Sequence, residues 1–305
     1  MRARGRLPLL VAVAATAAAG CGSTEVAPTP TAATGALPPS TTEPAADALP
    51  PSATETPADA VPAAATTTVP SPPATTAEAP SAAPATGAVV VLDPGHNGAN
   101  GRNPGRIGRL VRVGNGSKRC NTTGTESVRG LTESRFNWLL TAQVRRALER
   151  QGATVFLTRH DDRGVGPCVD RRARIANRHR ADAAVSIHAD GGPSGGRGFH
   201  VILPGPVPQV RGHAAILAPS RRLGLAVRSA FRRGAGMPYA TYIARAGLDR
   251  RTDLGGLNLL TVPGVMIETG NMRNATDAAR MSDPAWRRRA GRAIARGILR
   301  FLANR

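Results

Sequence analysis

The chain has 305 residues and a formal net charge of +20 at pH 7. This charge favours anionic partners, but the basic residues are scattered and only 3% of the residues are aromatic, which argues against a nucleic-acid surface built on base stacking. Anionic cell-wall polymers or lipid headgroups fit the composition better.

Residues 1–21 have the pattern of an export signal. Three arginines within the first six residues precede an uncharged stretch that is too short to span a bilayer comfortably. The following sequence AAGC, which ends at Cys21, resembles a bacterial lipobox, with Ala18 where Leu is usual. We predict that Cys21 is lipidated and anchors an exported protein to the membrane of the cell envelope. Ordinary secretion and an uncleaved anchor are the alternatives.

Residues 22–86 consist mainly of Ala, Pro, Thr and Ser, with several acidic residues and no Lys or Arg. Such a segment has few large apolar side chains to bury and cannot offset its ordering entropy, so we predict a disordered tether. Drift in genomic composition, with no role for the tether's length, is the alternative. The remaining residues, 87–305, have the size of one α/β domain.

The domain begins with a short apolar run, residues 88–92, which predicts a buried strand. The Asp-Pro-Gly turn that follows places His96 in a loop at the carboxyl end of this strand. Residues 97–130 are rich in Gly, Asn and Arg and form a long insertion, in which residues 110–113 and the following Gly-Asn-Gly predict a hairpin. The insertion either gates a cleft beside His96 or is a passive surface loop.

A helix follows, because apolar residues recur at helical spacing from Phe136 to Leu148 and Gly152 ends the pattern. Thr132 is the predicted N-cap, which places Glu133 in the first turn. The helix dipole alone would stabilise a carboxylate there, so Glu133 by itself does not indicate a site.

The rest of the domain alternates between strands and helices. We predict strands at residues 154–157, 183–187, 198–203, 257–260 and 265–269, and helices at residues 171–178, 223–231 and 283–302. This order implies a single α/β domain with a twisted, mostly parallel sheet of about six strands, covered by helices on both faces. Ligands of such sheets gather at the carboxyl ends of the strands.

Two histidines and one glutamate are candidate metal ligands. His96 and His188 each follow a predicted strand, and Glu133 lies between them in the chain. Two imidazoles and a carboxylate are a frequent ligand set for catalytic zinc, and Glu268, near the end of a later strand, is a candidate general base. Each residue taken singly has an ordinary structural explanation.

The other histidines compete poorly for the site. We expect His160, His179 and His213 to be solvated and His200 to be structural. Cys120 and Cys168 are the two cysteines that remain after Cys21, and two cysteines in an exported domain favour a disulfide.

The motifs LDPGHNG, GLTES, VFLTRHDD, RARIANRHRADAAVSIHAD and VPGVMIETGNMRN together resemble the zinc-dependent N-acetylmuramoyl-L-alanine amidases, the peptidoglycan amidase 3 family. The similarity runs in order over residues 88–303 and does not include the signal or the tether. Asp190 differs from the Asn that is common after His-Ala in this family, and the insertion between His96 and Glu133 is long.

This resemblance implies that His96, Glu133 and His188 bind one Zn²⁺ and that Glu268 is the catalytic glutamate. It also implies hydrolysis of the amide between N-acetylmuramic acid and L-alanine by a zinc-activated water, with peptidoglycan or muropeptides as substrate. We expect a monomer and no nucleic-acid partner. A zinc carboxypeptidase of similar architecture and a non-catalytic peptidoglycan-binding protein are the alternatives.

Overall fold

The computed structural model describes residues 85–305. Its strands are β1 (Val89–Pro94), β2 (Leu110–Arg112), β3 (Ser117–Arg119), β4 (Thr154–Leu157), β5 (Ala183–Asp190), β6 (His200–Pro204), β7 (Leu248–Arg251) and β8 (Gly264–Asn271). Its helices are α1 (Pro104–Gly108), α2 (Glu133–Glu149), α3 (Val169–Arg178), α4 (His213–Ala235), α5 (Gly255–Asn258), α6 (Ala275–Ser282) and α7 (Pro284–Leu302). The predicted signal, Cys21 and the tether up to residue 84 lie outside this range.

Six strands form one sheet in the order β4-β1-β5-β8-β6-β7. The first four of these run parallel, whereas β6 pairs antiparallel with β8, and β7 runs parallel to β6. The carboxyl ends of β1, β5 and β8 therefore meet at one edge of the sheet, where open α/β sheets bind their ligands. The predicted α/β fold with a mostly parallel sheet is confirmed.

Strand alternation divides the core into two layers. Val90 and Leu92 of β1 pack with α2, α4 and α7 on one face of the sheet, and Val91 packs with α3 and the segment around α5 on the other. Helix α7 lies between α2 and α4. A Cβ atom on Gly291 or Gly297 would collide with α2 or α4, so both glycines allow close helix packing.

Side-chain caps fix the start of two helices. Thr132 Oγ1 accepts a hydrogen bond from the backbone N–H of Arg135, which begins α2 at Glu133 as predicted. Asp283 accepts from the N–H groups of Ala285 and Trp286, and Pro284 occupies the first position of α7.

The predicted strand at residues 257–260 is wrong. The chain forms the short helix α5 there, with Leu257 and Leu260 buried. A short apolar run fits a buried helical turn as well as a strand, which explains the error. The sheet instead takes β7 as its edge strand, whose sequence LDRR has the charged character that edge strands favour.

Within residues 85–305, no helix combines the length and the apolar composition needed to cross a membrane.

Candidate active site

The first strand delivers His96 through a tight turn. Gly95 must be glycine, because a Cβ atom there would lie 2.2 Å from the ring of His188. His96 itself has a left-handed backbone, with φ 58°. This conformation is uncommon outside glycine and is typically retained at functional sites.

Glu133 lies between the two histidines. Its Oε2 is 3.1 Å from His96 Nε2, and its Oε1 is 2.9 Å from His188 Nδ1. One ligand atom from each of the three residues lies within 4.8 Å of the others, so the three side chains converge on a single point. The structure thus brings together the three residues that the sequence marked as candidate ligands.

Neighbouring groups fix the orientation of these side chains. His96 Nδ1 is 3.0 Å from the carbonyl oxygen of Thr122, which leaves Nε2 facing Glu133. Glu133 Oε2 accepts from the Thr125 N–H, and Oε1 accepts from the Ala189 N–H. Burial opposes ionisation of Glu133, but the adjacent histidines hold its pKa well below the usual range.

Glu268 lies on β8, directly opposite His188 in the register with β5. It lines the same cavity as His96, Glu133 and His188. Its Oε2 is buried and has no hydrogen-bond partner among the described residues. Burial raises the pKa of Glu268 well above its usual range, and the negative charges of Glu133 and Asp190 raise it further.

Comparison with protein families matches residues 90–300 to the N-acetylmuramoyl-L-alanine amidases. The chain belongs to this family. An N-acetylmuramoyl-L-alanine amidase of Mycobacterium tuberculosis is 42% identical over 227 residues, which cover 73% of this chain and 91% of that protein. The protein is therefore an amidase, and its similarity to this relative extends over most of both chains.

Solved structures of amidases from two further mycobacteria resemble this one. The N-acetylmuramyl-L-alanine amidase of Mycobacterium smegmatis is 44% identical, with a TM-score of 0.67 over 72% of this chain and 99% of that chain. The apo form of the Mycobacterium abscessus amidase is 42% identical, with a TM-score of 0.65 over 71% of this chain and 99% of that chain.

The amidase holds the turn before His96 with a buried ionic network that sequence reasoning missed. Arg172 donates to Asp93 Oδ1 at 2.7 Å and to the carbonyl oxygens of Pro94 and His96 at 2.8 Å. Asp93 also accepts from Ser186 and Thr158. Burial opposes ionisation of Asp93, but Arg172 and the two hydroxyl donors outweigh it and lower its pKa.

The sequence contains only a weak indication of this network. Asp93 ends an apolar strand, and Arg172 lies in an Arg-rich helix in which Arg171 and Arg174 are exposed. Nothing in the sequence distinguishes the one buried arginine from its neighbours.

His213 corrects a prediction, since it is buried and not solvated. Its ring nitrogens lie 2.9 Å from the carbonyl oxygen of Leu260 and 3.0 Å from that of Gly205. His160 and His179 are exposed, although His179 stacks on Phe156. His200 is buried, directly opposite Glu268 in the register, and its Nδ1 has no partner among the described residues.

The candidate ligands open into a cavity of about 610 Å³. Its lining includes His96, Glu133, His188 and Glu268. It also includes small apolar side chains from β1, β5 and α3, namely Val91, Ala173, Ala176 and Ala184. The reactive groups therefore border a largely apolar space, which strengthens electrostatic interactions within it.

The insertion is attached at two places beside the cavity. Cys120 and Cys168 form a disulfide that joins it to the start of α3. The tip of the β2–β3 hairpin docks on the segment before α5, where Asn115 donates to the Thr252 carbonyl oxygen at 2.8 Å and Lys118 lies 3.7 Å from Asp253.

Proposed function

We propose that this amidase hydrolyses the amide between N-acetylmuramic acid and the L-alanine of peptidoglycan stem peptides, with one Zn²⁺ as cofactor and Glu268 as general base. The convergence of His96, Glu133 and His188 on one point, beside Glu268 in a shared cavity, is the observation that carries the proposal.

The donor set suits zinc. Two imidazoles and one carboxylate are ligands that Zn²⁺ accepts, and three protein ligands leave a position for water or substrate. The contact between His96 Nδ1 and the Thr122 carbonyl oxygen is the type of outer hydrogen bond that orients a metal-binding imidazole. Zinc, when bound, supplies Lewis acidity that polarises a carbonyl group and acidifies water.

Glu268 supplies the proton transfers. Its buried, unpartnered Oε2 is free to accept a proton from the attacking water. The same carboxyl group then protonates the amine of L-alanine as it leaves. Its raised pKa suits this exchange, because a carboxylate with a pKa nearer neutrality both accepts and returns a proton readily.

The proposal also covers the regions outside residues 85–305. We propose that residues 1–21 direct export, that Cys21 carries a lipid in the cell envelope and that residues 22–86 tether residues 87–305 to the membrane. Anionic wall polymers remain candidate partners, and we propose that the enzyme acts as a monomer.

Metal analysis of the purified chain combined with mass spectrometry of digested peptidoglycan tests the proposal. We expect about one zinc per chain, since the site offers one set of three ligands. The products should be stem peptides with a free L-alanine amino group and muramic acid without peptide. Trimming from the carboxyl terminus would instead indicate a carboxypeptidase, and zinc-loaded protein without any product would indicate a binding protein.

A further inference from the structure

The outer side of α7 is a ridge of arginines. From residue 288 to the end of the helix at Leu302, every exposed position is arginine. These positions are Arg288, Arg289, Arg292, Arg296 and Arg300, which we call the α7 ridge. Four of the five follow one another at intervals of four residues, so the ridge extends about 18 Å along the helix axis.

No arginine of the α7 ridge forms a salt bridge with an acidic side chain among the described residues. Two exposed arginines on other helices do form such pairs, Arg145 with Glu149 on α2 and Arg174 with Asp170 on α3. Like charges four residues apart destabilise a helix. Asp283, at the start of α7, offsets part of the charge of Arg288 and Arg289. An external polyanion would relieve the repulsion along the rest of the ridge.

The α7 ridge and the catalytic cavity lie on opposite faces of the sheet. The buried side of α7 contributes Ile294 and Ile298 to the core layer that includes Val90. The cavity is lined by Val91 and Ala173 from the other layer. A polymer bound along the ridge therefore does not occupy the cavity.

We infer that the α7 ridge is a second, non-catalytic binding surface for the carboxylate groups of peptidoglycan strands near the one being cleaved. The inference rests on the proposed function. A stem peptide joined to muramic acid through its amino terminus has its carboxyl terminus at the far end. Guanidinium groups bind such carboxylates in a bidentate manner, and repeated stems present many of them.

The composition of the ridge favours this polymer over a membrane surface. Helices that lie on bilayers combine basic residues with exposed apolar ones that enter the interface. The exposed positions of the ridge include no apolar residue, and the large exposed apolar side chains of residues 85–305, Leu110, Val128 and Ile243, lie on other elements. Contacts made by charge alone match a hydrated, carboxylate-bearing network.

Binding to insoluble peptidoglycan tests the inference, with the full chain carrying Glu268→Gln so that the polymer is not digested. The ridge variant changes Arg288, Arg292, Arg296 and Arg300 to Gln. The matched control changes four exposed arginines elsewhere to Gln, at Arg106, Arg129, Arg178 and Arg211. Both variants have the same net charge.

We expect the ridge variant to bind peptidoglycan about tenfold more weakly than the parent, or weaker still, and the control to stay within about twofold. With Glu268 restored, the ridge variant should have a higher KM on insoluble peptidoglycan and unchanged turnover of a soluble muropeptide. Equal losses in both variants, or no loss in either, would overturn the inference. So would loss of binding to phosphatidylglycerol vesicles with peptidoglycan binding intact.

A second variant guards against misfolding. Arg292→Glu places a carboxylate four residues from both Arg288 and Arg296, which stabilises the helix while it weakens the ridge. It should also weaken peptidoglycan binding, and unchanged binding would count against the inference. If the parent enzyme fails to turn over soluble muropeptide, the proposed function fails, whereas the binding comparison between the variants still stands.

Discussion

Asp93 and Glu268 lie at the carboxyl ends of parallel strands and line the same cavity, yet their environments shift their pKa values in opposite directions. Both are affected by burial, which disfavours the charged form. Asp93 receives hydrogen bonds from Arg172, Ser186 and Thr158. Glu268 has a buried oxygen to which no group of residues 85–305 donates, and the negative charges of Glu133 and Asp190 act on it.

The difference shows that neighbouring charges and hydrogen-bond donors, together with burial, set the direction in which each pKa moves. Asp93 stays ionised and holds the turn that carries His96. The raised pKa of Glu268 supports its proposed role as general base. Pairs of titratable groups with diverging pKa values identify acid and base roles in active sites.

The largest effect is expected from Glu268→Gln, which removes the only proposed proton acceptor of the pair. We expect kcat for peptide release to fall about 10²- to 10⁴-fold, the usual contribution of general acid–base catalysis. Bound zinc, measured by metal analysis, should be unchanged because Glu268 is not a proposed ligand. Release of stem peptides near the wild-type rate would show that the base is another group.

Arg172→Met should lower the free energy of unfolding, because it removes the cation that pairs with Asp93. It leaves Asp93 ionised and buried without its cation, and breaking a buried ion pair in this way costs about 3–5 kcal/mol. The free energy of unfolding in urea measures the loss. Arg174→Met is the matched control, since its side chain is 59% exposed, and a surface pair contributes at most about 1 kcal/mol. Similar losses in the two variants would show that the network around Asp93 is not special.

The lowered pKa of Asp93 also predicts an acid dependence of stability. A carboxylate with a depressed folded-state pKa stabilises the protein above its unfolded value, about 3.9, and this contribution is lost as pH falls through the folded value. The difference in unfolding free energy between wild type and Asp93→Asn should therefore shrink below about pH 4. A difference that stays constant with pH would mean that Asp93 is not held ionised by folding.

Asp190→Asn should have the smallest effect, and it tests one of the charges that act on Glu268. It removes a negative charge that raises the pKa of Glu268, while the amide oxygen can still accept the hydrogen bond that Tyr242 donates at 3.0 Å. The acidic limb of the pH profile of kcat/KM should move to lower pH. If the acidic limb stays in place or moves to higher pH, Asp190 does not raise the pKa of the catalytic base.

The sequence predicted the fold class and the candidate ligands better than the buried charges around them. Strand-end histidines and a capped helix have local signatures, so His96, Glu133 and His188 could be selected before any coordinates. The fold class followed from the alternation of strands and helices. By contrast, β7 was missed because its sequence is charged. Residues 257–260 were wrongly predicted as a strand because a short apolar run also fits a buried helical turn.

Apart from the Cys120–Cys168 pairing and the meeting of the three candidate ligands, contacts between distant residues were not predicted. Arg172 is separated from Asp93 by 79 positions, and its burial depends on how α3 packs over the sheet. His213 was expected to be solvated. Its burial could not be foreseen, because it depends on the carbonyl oxygens of Leu260 and Gly205, which are brought to it by folding. Such environments are properties of the folded chain and leave no local pattern.

The bare backbone at Gly95 makes the two imidazoles interdependent. A Cβ atom at that position would overlap the His188 ring. Either His188 or the turn that carries His96 would then have to move. A change to alanine at a position with no functional group of its own is expected to abolish the site as thoroughly as the loss of a histidine.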